Sequence, residues 1–159
     1  AMDAGPIYAQ SEVVLTGRET KQELADQLLD VGSAMLSAVL PGILEGSIVG
    51  KPQDEALATF DQLITKEAGV LDFHKPAEQL EREVRAYAEW PKSRTTIGNK
   101  EVVITKAHVV EGSGEPGTLY KDGKQFGFYT SHGILLVDSL KPAGKPDMTA
   151  QAFLAGYRL

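Results

Sequence analysis

No cysteine occurs in the 159 residues, so the chain can form no disulfide and offers no thiolate to a metal. Histidine is scarce as well: His74, His108 and His132 stand in three separate segments, with no His-Glu-x-x-His pairing, and no metal site is expected. A Gly-rich phosphate loop and a Gly-x-Ser-x-Gly elbow are both missing. Ser131-His132 makes a poor nucleophile pair, because neighbours on extended chain point to opposite faces. His108, on an alternating strand, reads as a structural or surface histidine, and His132 as a solvent-facing turn residue. The N-terminus lacks the basic start and apolar centre of a signal peptide, and no long uncharged apolar run suggests a membrane span. No internal repeat or low-complexity tract is visible. A cytoplasmic, reducing location is the natural reading.

Positive charge is also in short supply. The formal net charge is −6, which argues against a generic nucleic-acid binder, since phosphate contact favours basic surfaces. The imbalance is uneven: residues 1–75 hold 5 Lys/Arg against 12 Asp/Glu, and residues 76–159 hold 11 against 10. Within 82–106 the basic residues Arg82, Arg85, Lys92, Arg94, Lys100 and Lys106 face only Glu83, Glu89 and Glu101. That stretch reads either as a modestly basic stripe or as an ordinary mixed-charge surface. Arg82 and Arg85 read equally well as phosphate contacts or as helix partners of Glu78, Glu81 or Glu89. Tyr87 and Trp90 read as packing residues rather than base-stacking platforms.

What is present divides into three parts. A short extended stretch over 7–15 precedes a helix signal, opened by the capping box Thr20-x-x-Glu23. Leu24, Leu28, Met35, Val39 and Ile43 follow at helical spacing, joined by Leu29, Leu36, Leu40 and Leu44. Gly32 and Pro41 weaken or kink the run, so two consecutive helices are as expected as one. Residues 47–65 read as a linker, too apolar at Leu57, Phe60, Leu63 and Ile64 to float free. The remainder alternates quickly. Val70 to Phe73 predicts a short strand, and Pro76 a helix burying Ala77, Leu80, Val84 and Tyr87 or Ala88, stopped by Pro91. Strands are expected at 93–97, 101–110, 117–120, 125–130 and 133–140, separated by Gly98-Asn99, Gly112 to Gly117, Asp122-Gly123 and Ser131-His132-Gly133. Five short strands with tight turns suggest a small closed or half-open barrel of the OB type, and Thr149 caps a last helix that Gly156 ends.

One run orders its residues too specifically to be composition. Residues 52–91 start Pro52-Gln53-Asp54-Glu55, centre on Thr65-Lys66-Glu67-x-Gly69-x-x-Asp72 and end Arg85-Ala86-Tyr87-x-x-Trp90-Pro91. This resembles the linker and second-domain start of methionyl-tRNA formyltransferases. The C-terminal stretch from Gly133-Ile134-Leu135-Leu136-Val137 through Ser139-Leu140-Lys141-Pro142, Met148-Thr149-Ala150 and Phe153-Leu154 to Gly156-Tyr157-Arg158-Leu159 resembles the end of the same family's barrel. Met2-Asp3-Ala4-Gly5-Pro6-Ile7 is similar to the loop that closes its catalytic site.

The resemblance implies an α+β fold. Residues 1–46 would be the helical remnant (a short strand plus helix) of a Rossmann-like formyltransferase domain, 47–65 a linker, and 66–159 an OB-like β-barrel with one or two helices. It implies formyl transfer from 10-formyltetrahydrofolate to the methionyl amine of initiator tRNA, by an Asn, a His and an orienting Asp. Asp3 matches that Asp, and the Asn and His have no counterpart here. The chain alone is therefore expected to be inactive, to bind no folate and to contribute weak tRNA binding. Lys66 matches a basic linker position that approaches the acceptor end, with Arg82, Arg85, Lys92, Arg94, Lys100 and Lys106 as phosphate contacts. Ala1 before Met2 reads as a residue left by tag removal, and an internal Met taken as the start, a partial gene or a deliberately isolated domain would each give such a chain. The apolar stripe of the 20–45 helix would then pack on the barrel or form a homodimer. Alternative readings are a free-standing OB-type RNA-binding module and a fragment of a formyltransferase acting on an amino sugar nucleotide.

Overall fold

A computed structural model describes residues 3–157. Met2, Arg158 and Leu159, which belong to the family-like stretches, lie outside them. The chain divides into two compact units, Ala1–Leu63 and Ile64–Leu159.

The first unit is organised by one helix, α1 (Lys21–Leu44). Its capping box forms in full. The Thr20 hydroxyl accepts from the Glu23 amide at 3.2 Å, and Glu23 Oε2 accepts from the Thr20 amide at 2.8 Å. These two bonds satisfy amides that the first helical turn leaves unpaired. Just upstream, the Glu19 carboxylate takes the Thr16 hydroxyl at 2.6 Å, the Thr16 amide at 2.7 Å and the Gly17 amide at 3.0 Å. Those bonds, the Thr16 hydroxyl foremost, lower its pKa to about 2. The helix continues unbroken through Gly32 and for one more turn past Pro41, so one helix replaces the two that were equally expected. A proline this close to the C-terminus removes one ladder bond and leaves only a single turn beyond it. Gly46, at φ 76°, then turns the chain away.

No residue of α1 is fully buried. Leu24, Val31, Met35, Val39 and Ile43 are half-buried along one stripe, whereas Leu28, Leu29, Leu36, Leu40 and Leu44 are exposed. By length and composition alone α1 is apolar enough to cross a membrane, a property that core helices of globular proteins share. No extended strand forms over 7–15. Ile7 alone pairs with Lys51 in an antiparallel bridge, and the Gln53 amide donates to the Asp3 and Gly5 carbonyls at 2.9 and 2.7 Å. Residues 3–7 and 51–53 are thus clipped together. The expectation that the apolar linker residues would be covered is also corrected: Phe60 and Leu63 are 93% and 94% exposed.

The second unit is a curled antiparallel sheet packed on two helices. Its strands are β1 (Arg94–Ile97), β2 (Lys100–Val110), β3 (Leu119–Asp122), β4 (Gln125–Tyr129), β5 (Ile134–Pro142) and β6 (Met148–Thr149). The order is β1-β2-β5-β4-β3, with β6 pairing the far end of β5. Two hairpins turn on glycines with positive φ, Gly98 at 60° and Gly123 at 56°, each at the first loop position where a two-residue turn of this hand requires it. All five expected strands form. β1 and β3 do not pair, so the sheet is a half-barrel rather than a closed one.

Helix α2 (Ala77–Ala86) begins after Pro76 and buries Ala77, Leu80 and Val84 against β2 and β5. Tyr87 and Ala88 lie past its end and are half-buried and exposed. Helix α3 (Ala150–Gly156) is capped by the Thr149 hydroxyl, which accepts from the Ala152 amide at 3.2 Å. Phe126, Phe153, Leu80, Ile104, Leu135, Leu140 and Val102 form the fully buried centre.

The strand expected over 70–73 reduces to a parallel bridge between Val70 and Arg94, with the Leu71 amide donating to the Arg94 carbonyl at 3.0 Å. Asp72 turns the chain instead, because its carboxylate accepts the His74 amide at 3.1 Å. That bond, ahead of the His74 ring, holds the Asp72 pKa below its ordinary value. Further along, β2 and β5 each carry an extra residue: Ile104 opposes Leu140, Lys106 opposes Ser139 and Ala107 opposes Val137. Thr105 is therefore surplus on one strand and Asp138 on the other, and the two irregularities cancel.

Candidate nucleic-acid interface

The basic residues singled out from the sequence fall at three places on the second unit. One group gathers at the start of β1. The Arg94 guanidinium donates to the Lys66 carbonyl at 2.6 Å, which fastens the 64–70 segment alongside β1 and holds Lys66 close to Arg94. Lys92, two residues earlier at φ 70°, presses its carbonyl against Gly69. Lys66 and Lys92 are both exposed. The Glu67 carboxylate beside them is held below its ordinary pKa, first by its own backbone amide and then by the Thr65 hydroxyl.

The second place is α2, where each arginine lies near a glutamate on its own helix. Arg85 makes two bonds to Glu81, Nε to Oε1 at 2.7 Å and Nη2 to Oε2 at 3.0 Å, with both side chains about four-fifths covered. Such a two-pronged pair is geometrically committed. Arg82 sits 3.7 Å from Glu78, a long and exposed contact of small energetic weight. The third place is β2. Lys100 opens the strand with its ammonium 5.3 Å from the centre of the Tyr157 ring, and Lys106 stands exposed just beyond the surplus Thr105. Among the described residues, no carboxylate lies within ion-pair distance of Lys66, Lys92, Lys100 or Lys106. The structure thus brings Lys66, Lys92 and Arg94 together, leaves Lys100 and Lys106 farther along the hairpin, and ties up Arg85.

The histidines stay apart. His108 Nδ1 lies 2.9 Å from Asp138 on the exposed side of the sheet, His74 lies 3.1 Å from Asp72, and His132 is exposed in the β4–β5 turn. The Ser131 amide donates to the Phe73 carbonyl at 3.0 Å and the His132 carbonyl accepts from the Thr130 hydroxyl at 2.7 Å, while among the described residues no hydrogen bond joins the Ser131 hydroxyl to the His132 ring. Among the described residues no group of three or more His, Asp or Glu could hold a metal ion. Asp3 is exposed at φ 58°, and none of the described residues donates a hydrogen bond to its carboxylate. No Asn or His occurs in residues 1–63, the unit that holds Asp3.

Sequence reasoning overlooked one feature. A cleft of about 270 Å³ opens where β1 and β3 fail to meet, lined by Thr96, Ile97, Asn99, Leu119, Phe128 and Phe153, with Lys100 and Tyr157 at its edge. The only sequence signal for it was the Gly98-Asn99 turn, which marks a hairpin and says nothing of the gap beside it.

A curled half-barrel with a capped C-terminal helix, preceded by a bridged basic segment, defines the class: residues 63–158 match the family described as formyl transferase, C-terminal domain, and the chain belongs to it. Among its curated relatives are methionyl-tRNA formyltransferases. The Trichlorobacter lovleyi enzyme is 31% identical over 99% of this chain and 50% of its own length. The Myxococcus xanthus enzyme is 35% identical over 99% of this chain and 51% of its own length. The chain therefore spans about half the length of the curated relatives it matches. Among solved structures, HypX from Aquifex aeolicus shares the fold at a TM-score of 0.68 and 19% identity, over 97% of this chain and 28% of that one. An N-formyltransferase from Helicobacter canadensis, solved with folinic acid and dTDP-3-aminofucose, gives 0.64 at 14% identity over 86% of this chain and 51% of that one.

Proposed function

We propose that this chain is the tRNA-binding half of a methionyl-tRNA formyltransferase, acting in translation initiation in the cytoplasm. The observation that carries the reading is the 31% identity to such an enzyme across 99% of the chain, first unit and linker included. The sugar-directed formyltransferases share only the fold, at 14% identity, and a free-standing RNA module leaves the match over the first unit without a role. In the complete enzyme, 10-formyltetrahydrofolate would supply the formyl group, and the methionyl amine of initiator tRNA would receive it. Asp3 would orient the proton-handling histidine of that site. The apolar face of α1 would lie against protein rather than lipid, as befits a helix shared with such enzymes.

Within the chain, Lys66, Lys92 and Arg94 would meet tRNA phosphates as one cluster, with Lys100, Lys106 and the exposed Arg82 extending the track. Arg85 would serve mainly to fix α2 through Glu81. The net charge of −6 sets a modest affinity for the isolated chain.

The test is a fluorescence titration with initiator tRNA at rising salt. Binding is expected to weaken with a log–log slope of about −0.7 to −0.9 per phosphate contact. Replacing Lys66 or Lys92 by Ala should each flatten that slope by about one contact. Absence of binding at low salt would remove the tRNA reading for this chain.

A further inference from the structure

We infer that Trp90 is a stacking platform for one unpaired RNA base, set beside the lysines that would take the phosphates flanking it. The inference rests on the tRNA reading and adds to it the residue that grips a base. Trp90 is the only tryptophan of the chain and is 55% exposed, which corrects the expectation of a packing role. It stands in the turn between α2 and β1, where the Lys92 amide donates to the Tyr87 carbonyl at 2.9 Å. Pro91 and Ser93 are buried and pin that turn to the domain, while the indole stays outside. Its one donor, Nε1, reaches the Ile64 carbonyl at 3.4 Å, so the ring is held by an edge. Among the described residues no aromatic ring and no cation stacks on it. An indole satisfied at its edge and unoccupied on its faces is what base stacking requires.

A lone exposed apolar residue is ordinary, and Trp90 is distinguished by its surroundings. The 64–70 segment that anchors the indole is fastened to the 90–94 stretch at three points. These are the Trp90–Ile64 bond, the Arg94 guanidinium on the Lys66 carbonyl at 2.6 Å, and the Lys92 carbonyl packed on Gly69. Lys66 lies two residues from Ile64 and Lys92 two residues from Trp90, in each case no more than about 7 Å of chain. Both lysines are exposed, and neither has an acidic partner within ion-pair distance among the described residues. Across 64–70 and 87–94 the cations Lys66, Lys92 and Arg94 outnumber the acids Glu67 and Glu89, and Glu67 already lies in the field of Arg94 and Lys66. A protein ligand on this ring would have to cover cations that nothing pairs. A single strand alternates flat bases with phosphates, which matches a ring flanked by lysines on a fixed loop. A duplex hides its base faces, so the ring selects a base that is unpaired.

With no second tryptophan present, indole emission reports the contact directly. The full chain is titrated with a single-stranded oligoadenylate, an abasic strand of the same length and initiator tRNA. Anisotropy of labelled strands gives binding, and Trp90 emission is read with unlabelled ones. Oligoadenylate and tRNA should quench the emission, whereas the abasic strand should bind about tenfold more weakly and leave it unchanged. Trp90→Ala should weaken oligoadenylate binding about tenfold at every salt concentration without altering the salt slope, because stacking releases no counterions. Trp90→Phe should keep most of the affinity, and unchanged far-UV circular dichroism and Tm show that both variants fold. Binding that leaves Trp90 emission unchanged, or equal affinity for the adenylate and abasic strands, overturns the inference while the tRNA reading stands, and leaves the indole to a protein contact. Absence of binding by every strand and by tRNA at low salt overturns both.

Discussion

Gly69 has no room for a side chain: a β-carbon there would collide with the Lys92 carbonyl and crowd the Pro91 ring. Gly69→Ala is expected to cost about 1–3 kcal/mol, read as a lowered Tm, because backbone on both sides must shift. Its neighbours in the 65–72 motif are structural in the same way. Asp72 shapes the turn before α2, and Lys66 lends its carbonyl to Arg94. The motif was legible as a family mark, but the reason for Gly69 was not, since its neighbour lies twenty-three positions away. Ser93 shows the opposite imbalance. It is 1% exposed, and its hydroxyl finds no partner among the described residues. Ser93→Ala should be neutral or raise stability by up to about 1 kcal/mol, since a buried donor without a partner carries an uncompensated desolvation cost. Thermal melts of the two variants should therefore move in opposite directions or differ clearly in size.

Elements declared themselves where local chemistry and long-range packing agreed. The Thr20 capping box, the Thr149 cap, the buried face of α2 and the glycine turns at 98 and 123 were all readable, because each acts within a few residues. The 70–73 segment failed for the reason that Asp72 offers its carboxylate to the His74 amide and ends extension after Leu71. Arg82 and Arg85 could not be resolved from spacing alone. Only the side-chain geometry separates the firm pair to Glu81 from the loose one to Glu78. For α1, Thr20→Ala should cost about 1 kcal/mol of helix stability, read by amide exchange in its first turn. The Glu19 turn ahead of it gives a pH signature. Its pKa is lowered to about 2 in the folded chain, so its stabilisation is complete above the ordinary value of 4.5 and fades as pH falls towards 2. Glu19→Gln should remove that acid dependence from the amides of Thr16 and Gly17 while leaving β2 untouched.

At the scale of the whole molecule, Leu28, Leu29, Leu36, Leu40 and Leu44 leave an exposed apolar row along α1. A homodimer through it predicts a scattering mass near twice 17.1 kDa. Leu36→Glu with Leu40→Glu should return that mass to the single-chain value. A clean monomer that binds no surface dye removes the dimer. The sequence disclosed this row but could not disclose what covers it, because amphipathic spacing identifies a face and not its occupant. The half-barrel is a similar case: strand lengths and turns were legible, whereas closure depends on whether β1 and β3 meet, which no local signal encodes.

The surplus residues of β2 and β5 bear on how the gene can change length. Deleting Thr105 alone leaves Ile104–Leu140, Lys106–Ser139 and Ala107–Val137 paired, with Asp138 as the one bulge, and deleting Asp138 alone leaves Thr105 as the bulge. Removing both restores an uninterrupted pairing from Ile104–Leu140 to Ala107–Val137. Two deletions thirty-three codons apart should therefore each cost little, alone or together, whereas deleting Val103, which is paired with Lys141, should lower the Tm sharply.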